Sequence, residues 1–378
     1  MQTWSIFCRV VDNFGDIGVC WRLARQLANE HAVAVTLWVD DLDSFAKIRA
    51  EIQPTLAEQT LESVTIRHWS AVWTAETPAT DVVIETFACD LPPAYIEQMR
   101  ARSTPPIWIN LDYLSAEDWV SGCHGLPSPQ SGLNKYFFFP GFNAKTGGLI
   151  GERSMRQQRA AWTEHDAAEL RQQLAPRLPL LSAETQYYSL FAYENPALNA
   201  WLEQLKNHPK PVVLFVPEGR VLPQIQQLIK QGELHTGEVY QYGSVSIVIL
   251  AMLSQDQYDQ LLWSCDLNFV RGEDSFVRAQ WAGLPMIWQI YPQADNAHLE
   301  KLAAFLQLYL ADLPTTIAHA LHDFYFAWNQ GGEIASSWTI LNTEWAILRQ
   351  HAQSWAKRLA AQGDLATNLV KFTQSKLK

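Results

Sequence analysis

Two stretches of this sequence gather residue types that do chemistry. The first is Val11-Asp12-Asn13-Phe14-Gly15-Asp16-Ile17-Gly18, with two carboxylates four residues apart and two glycines beside them. At the start of a helix, Asp12 and Asp16 can face one crevice. The helix dipole keeps a carboxylate there ionised, which suits a proton acceptor. A helix cap needs the same residue at the same place, so spacing alone leaves both roles open. The glycines do not form GxGxxG, so a dinucleotide fingerprint is missing.

The second stretch is Phe269-Val270-Arg271-Gly272-Glu273-Asp274-Ser275-Phe276. Arg271 carries a permanent forked charge that matches diphosphate oxygens. Gly272 lets a ligand approach the backbone closely. A helix opening at Ser275 presents free N–H groups to an anion, and Ser275 can bond an oxygen or cap that helix. Glu273 and Asp274 would repel phosphate, so they suit sugar hydroxyls or a cationic group. The plainer alternative is a capped surface helix with an Arg–Glu ion pair.

Other candidates carry less. Tyr193 follows a strand ending at Phe191, where a base can stack; a plain core or rim position is equally open. Glu85 and Asp112 stand at strand ends, where capping is the ordinary role. None of the ten histidines forms an HxxxH pair, and a structural role is the default for each, so no metal site is expected.

Elements that position these residues follow from periodicity. Apolar, β-rich runs predict strands at 4–11, 33–39, 64–67, 81–85 and 106–111, alternating with helices at 20–30, 42–52 and 94–102. Residues 122–151, rich in Gly, Pro, Ser and Asn, read as a long irregular stretch. A polar helical run over 153–174 follows, broken at 176–182. Alternation resumes with strands at 186–191, 211–216, 244–250, 267–270 and 285–289. The helices between them are read at 195–205, 222–231, 255–263 and 275–281, and a long amphipathic helix at 343–359. The expected fold is α/β, two Rossmann-like domains with parallel sheets. The expected divisions are 1–152, a linker region 153–182, 183–342, and a C-terminal helical segment 343–378.

Composition narrows the function classes. The 378 residues are 48% hydrophobic and 18% charged, enough apolar material for large cores and too much for a disordered chain. Lys plus Arg is 28 and Asp plus Glu 39, a net charge of −11. Such a chain is poorly suited to nucleic-acid backbones and better suited to a cationic partner. Five cysteines, an odd number with no CxxC pair, fit a reducing cytoplasm. No signal peptide is read at the N-terminus, and the densest apolar run, 245–253, is too short to span a bilayer. Most of the sixteen tryptophans are expected in the core.

Four strings together resemble one family: Asp12 through Val19, Glu85 through Pro92, Asp112 through Glu117, and Arg271 through Gln280. Shorter matches run from Phe142 through Arg153 and from Ile290 through Leu302. They are similar to the bacterial EarP family, protein-arginine rhamnosyltransferases that modify elongation factor P. The resemblance implies a GT-B fold with the active site between two Rossmann-like domains. It implies inverting transfer of rhamnose from dTDP-β-L-rhamnose to an arginine of elongation factor P, in support of translation through polyproline stretches. The N-terminal domain would receive the acceptor protein and the C-terminal domain the nucleotide sugar. Family roles carry over to Asp16 as general base, to Glu273 as the second catalytic residue, and to Asp12 as a supporting carboxylate. Donor contacts carry over to Asn13, Phe14, Gly15 and Tyr193, and to Arg271, Gly272, Asp274 and Ser275. Where the family has a Phe-containing segment, this chain has Met252, Leu253 and Ser254, so a thioether replaces the aromatic face offered to thymine. No cofactor or metal is implied. A non-catalytic binding protein of a translation factor and a Rossmann-type oxidoreductase are the alternatives; the carboxylates speak against the first and the missing GxGxxG against the second.

Overall fold

The computed structural model describes residues 2–11, 14–70, 73, 77–178 and 182–376. The chain divides into two compact units, one of residues 1–155 and 359–378, the other of residues 156–358.

The first unit is built on an eight-stranded sheet. Its strands are β1 (Thr3–Cys8), β2 (Ala34–Val39), β3 (Glu58–Leu61), β4 (Val64–His68), β5 (Val82–Thr86), β6 (Ile107–Leu111), β7 (Pro127–Gln130) and β8 (Leu133–Phe138). Their order is β3-β4-β2-β1-β5-β6-β8-β7. The six central strands run parallel, and only the edge strands β3 and β7 are antiparallel to their neighbours. Parallel strands covered on both faces need apolar side chains on both, and β1 has them. Trp4, Ile6 and Cys8 enter one core with the helix Gly15–His31, while Phe7 enters the opposite core with Trp38, Tyr95 and Trp108.

The second unit carries β9 (Gln186–Leu190), β10 (Val212–Pro217), β11 (Val239–Tyr242), β12 (Val245–Leu250), β13 (Leu267–Arg271) and β14 (Met286–Gln289). Their order is β11-β12-β10-β9-β13-β14, parallel except for β11. Val213, Phe215, Val248 and Leu250 fill one face with Leu261. On the other, the Trp201 ring lies 4.4 Å from Phe269, and Trp328 lies 4.5 Å from the same ring.

Both sheets have the order in which the first strand sits mid-sheet and the chain then turns to its other side. In such sheets the crevice beyond the carboxyl ends, where the order reverses, is the ligand position. In the first unit that point lies between β1 and β5, in the second between β9 and β13.

Three sequence expectations change. Residues 122–151 are not wholly irregular, since β7 and β8 form an antiparallel hairpin there. The polar run at 153–174 is two helices, Arg153–Ala161 and Glu164–Leu174, the second opened by a capping box of Thr163 and Asp166. The expected C-terminal segment 343–378 is divided between the two units. The helix Leu365–Lys376 belongs to the first unit, where Leu365 and Leu369 join its core and the Leu365 N–H donates to the Leu149 carbonyl at 2.9 Å.

No helix among the described residues is long and apolar enough to cross a membrane. Each of the five cysteines is a free thiol.

Candidate active site

Asp16 lies at the switch point of the first sheet, in the first turn of the helix that follows β1. Phe14 occupies the N-cap and makes no side-chain capping bond. The Asp16 carboxylate instead reaches backwards. Its Oδ2 accepts the Val11 N–H at 2.8 Å, and its Oδ1 accepts the Tyr113 hydroxyl at 3.4 Å. The side chain is only 3% exposed. Asp16 is thus a buried, oriented acceptor and not the cap that its position also allowed. Phe14 and Gly15 beside it are half-buried, and Phe14 packs on the core. Asp12 and Asn13 lie outside the described residues.

The neighbouring strand ends complete this surface. Thr86, the last residue of β5, donates to the Phe7 carbonyl at 2.6 Å and accepts the Cys20 thiol at 3.4 Å. Three non-glycine residues in the following loop adopt left-handed backbone: Phe87 (φ 54°), Ala88 (φ 51°) and Asp90 (φ 55°). Such conformations are costly and cluster at functional sites. Tyr113, after β6, stacks on Phe87 with ring centroids 4.3 Å apart. Glu85 is buried away from this surface, accepting from Trp108 at 3.1 Å with the Lys135 ammonium 3.5 Å distant. Burial raises its carboxyl pKa, against the pull of Lys135. Asp112 accepts the Tyr113 N–H at 2.8 Å, a local turn contact.

At the switch point of the second sheet stands Arg271, the last residue of β13 and 8% exposed. Its guanidinium carbon lies 4.2 Å from the Phe191 ring centroid and 4.5 Å from that of Tyr193. Two aromatic faces supplied by the end of β9 therefore hold the cation in place. Tyr193 is itself fixed, its N–H donating to Gln289 Oε1 at 2.9 Å. It is buried beneath the charge, not standing as an open platform at a strand tip.

Gly272 turns the chain with φ 58°, left-handed backbone that favours glycine. Its carbonyl accepts the Trp288 indole N–H at 2.7 Å. Glu273 follows as a half-buried N-cap with no side-chain capping bond, and the helix Asp274–Ala282 begins at once. Ser275 is turned inward to the Arg271 backbone.

A second helix end adjoins this one. Ser254 caps the helix Gln255–Trp263 in a capping box with Gln257. Met252 is 36% exposed in the loop before it, and Leu253 is half-buried. Gln255 Nε2 donates to Asp274 Oδ2 at 3.3 Å. Deeper down, Arg278 donates to both oxygens of Asp259 at 2.8 and 2.6 Å, an ion pair with 1% and 3% exposure. This buried fork locks the two helices together. Phe191, Gln289 and the Asp259–Arg278 pair were not legible as site residues. Phe191 alone carried a signal, an aromatic residue at the end of a core strand.

The chemistry of the two points is complementary in sign: a carboxylate suited to a cation in one unit, a clamped guanidinium at a helix start in the other. Comparison with known proteins identifies the family. The family model of the Elongation-Factor P (EF-P) rhamnosyltransferase EarP matches residues 4–374. The chain belongs to the EarP family. A protein-arginine rhamnosyltransferase of Pseudomonas putida is 52% identical over 377 residues, covering 99% of both chains. One from Pseudomonas aeruginosa is 48% identical over 98% of this chain and 99% of its own. A solved structure described as the structural basis for EarP-mediated arginine glycosylation of translation elongation factor EF-P superposes with a TM-score of 0.71. It is 38% identical and covers 99% of each chain. A UGT transferase from Siraitia grosvenorii solved with UDP has a TM-score of 0.53 at 9% identity over both whole chains, a likeness of fold alone. As a member of the EarP family the chain is a glycosyltransferase, a protein-arginine rhamnosyltransferase, and its α/β fold is of the GT-B type.

Among the described residues, no group of three His, Cys, Asp or Glu side chains is arranged to hold a metal.

Proposed function

We propose that this EarP-family chain transfers rhamnose from dTDP-β-L-rhamnose to an arginine of elongation factor P, with inversion at the anomeric carbon. One observation carries the reading: an oriented carboxylate, Asp16, stands at the switch point of one sheet and a guanidinium clamped between two rings, Arg271, at that of the other. The family's own description and the solved EF-P glycosylation system support the choice of acceptor. A translation factor as acceptor places the reaction in the cytoplasm.

A free guanidinium has a pKa above about 12 and is a poor nucleophile. Asp16 takes a proton from it as the C–N bond forms and the bond to the diphosphate breaks. Glu273, with Asp12 in support, holds the guanidinium and localises its charge on the remaining nitrogens. The sugar carbon passes through oxocarbenium character, as in glycoside hydrolysis. Negative charge grows on the leaving dTDP, and Arg271 with the first-turn N–H groups of Asp274–Ala282 meets it. Removing one such preorganised donor costs ~3–4 kcal/mol of barrier. Since Arg271 supplies this positive charge, the reaction is read as needing no metal.

The donor contacts divide by part. Arg271, Gly272 and Asp274 serve the diphosphate and sugar, Ser275 serves them through the Arg271 backbone it holds, and Tyr193 backs Arg271. Met252, Leu253 and Ser254 border the base. Asn13, Phe14 and Gly15 meet the sugar beside Asp16. The test is mass spectrometry of elongation factor P after incubation with the enzyme and dTDP-β-L-rhamnose. One added deoxyhexose on arginine, α-linked by NMR, is expected. No addition from a competent donor and acceptor overturns the proposal.

A further inference from the structure

We propose that Tyr113, stacked on Phe87, positions Asp16 and supplies the face on which the acceptor guanidinium rests. This inference rests on the reading of Asp16 as proton acceptor, and it concerns what makes the site select a planar cation.

Three observations within the first unit carry it. The Tyr113 hydroxyl donates to Asp16 Oδ1 at 3.4 Å, while the Val11 N–H holds Oδ2 at 2.8 Å. Both carboxylate oxygens are thereby oriented from outside the helix that bears Asp16. A length of 3.4 Å is long for O–H···O, as catalytic hydrogen bonds often are before substrate arrives.

Tyr113 also remains 37% exposed, although it adjoins a side chain that is 3% exposed. An aromatic ring left at the mouth of a buried carboxylate offers a π-face beside a negative charge. A guanidinium is planar and weakly hydrated, so it stacks on such a face while donating to the carboxylate. An ammonium, compact and strongly hydrated, gains less from the same surface.

Finally, the ring is held from behind. It lies nearly parallel to Phe87, 15° between planes and 4.3 Å between centroids. Phe87 keeps a left-handed φ of 54° and donates its N–H to the Leu111 carbonyl at 2.8 Å. A strained backbone anchored to the next strand fixes the platform's height relative to Asp16.

The test uses the full chain with dTDP-β-L-rhamnose and elongation factor P. Tyr113→Phe keeps the ring and removes the hydroxyl. Its kcat should fall ~10–100-fold, as for a lost hydrogen bond to a charged group, with acceptor KM nearly unchanged. Tyr113→Leu removes both, so acceptor KM should also rise ~3–30-fold, the range of a cation–π contact. Donor KM should stay constant in both variants, which a merely structural role would not produce. Wild-type kcat in the Phe variant, or wild-type acceptor KM in the Leu variant, overturns the inference. So does a parallel rise of donor KM. Failure of the wild-type enzyme to modify elongation factor P overturns the underlying reading instead.

Discussion

Ser275 closes a small ring on Arg271. Its hydroxyl accepts the Arg271 N–H at 3.0 Å and donates to the Arg271 carbonyl at 2.5 Å. Both backbone groups at the end of β13 are satisfied by one side chain one helical turn ahead. The turn through Gly272 is therefore fixed before any ligand binds, and with it the direction of the Arg271 side chain.

Ser275→Ala removes both bonds and leaves the Arg271 backbone groups buried without them. Donor KM should rise about tenfold, from a loss of ~1–2 kcal/mol in preorganisation, with acceptor KM unchanged. Calorimetric titration of dTDP onto the variant measures this directly, and wild-type affinity would remove Ser275 from the donor site.

Asp16→Asn keeps the size and the Val11 contact but cannot take a proton. Transfer should fall by ~10²–10⁴, the usual share of a general base, while donor affinity holds. Rhamnosylated product counted over time by mass spectrometry gives the rate; a fully active variant refutes the base assignment.

The Asp259–Arg278 pair should act on stability first. Arg278→Met strands a buried carboxylate, so unfolding should cost ~3–5 kcal/mol less. Removing Asp259 as well, as Leu, should recover most of that loss, because no uncompensated charge remains. Urea denaturation of the single and double variants distinguishes this from a pair that contributes nothing.

Two histidines predict the pH response of stability. Burial pushes the pKa of His124 below its ordinary 6.5, and burial does the same to His351. The His124 ring accepts the Phe139 N–H at 3.1 Å, which requires an unprotonated Nδ1. As pH falls below about 6.5 the unfolded chain binds protons first, so stability falls with pH until the folded histidines also protonate. The denaturant midpoint should therefore drop between pH 7.5 and the acid side of 6, and His124→Asn should flatten that slope. An unchanged slope would place the response elsewhere.

The elements nearest the site were the most legible. The innermost strands β2, β5, β10 and β12 are near-continuous apolar runs because helices cover both faces, and burial writes itself into composition. β3, β7 and β11 escaped notice because they are antiparallel edges, where half of each strand meets solvent, and β8 because its middle, Asn134 through Phe137, is polar or only half-buried. Pro127 and Pro129 in β7 argue against a strand by propensity, yet an edge tolerates them because one side needs no ladder bond. Asp16 and Arg271 were visible for a similar local reason, since each lies where a strand gives way to a helix, Asp16 in the first turn after β1 and Arg271 at the end of β13.

What sequence alone determined was the alternation of strand and helix, the two charged strand-to-helix junctions, and membership of the EarP family through long contiguous strings. These are local patterns, set by a few neighbouring residues. Tertiary structure decided which distant residues meet them. Tyr113 reaches Asp16 from 97 positions away because β6 lies next to β5 and β5 next to β1. Phe191 and Tyr193 flank Arg271 because β9 and β13 are neighbours. Strand order follows from the packing of whole layers, and the period of a single segment carries no record of it.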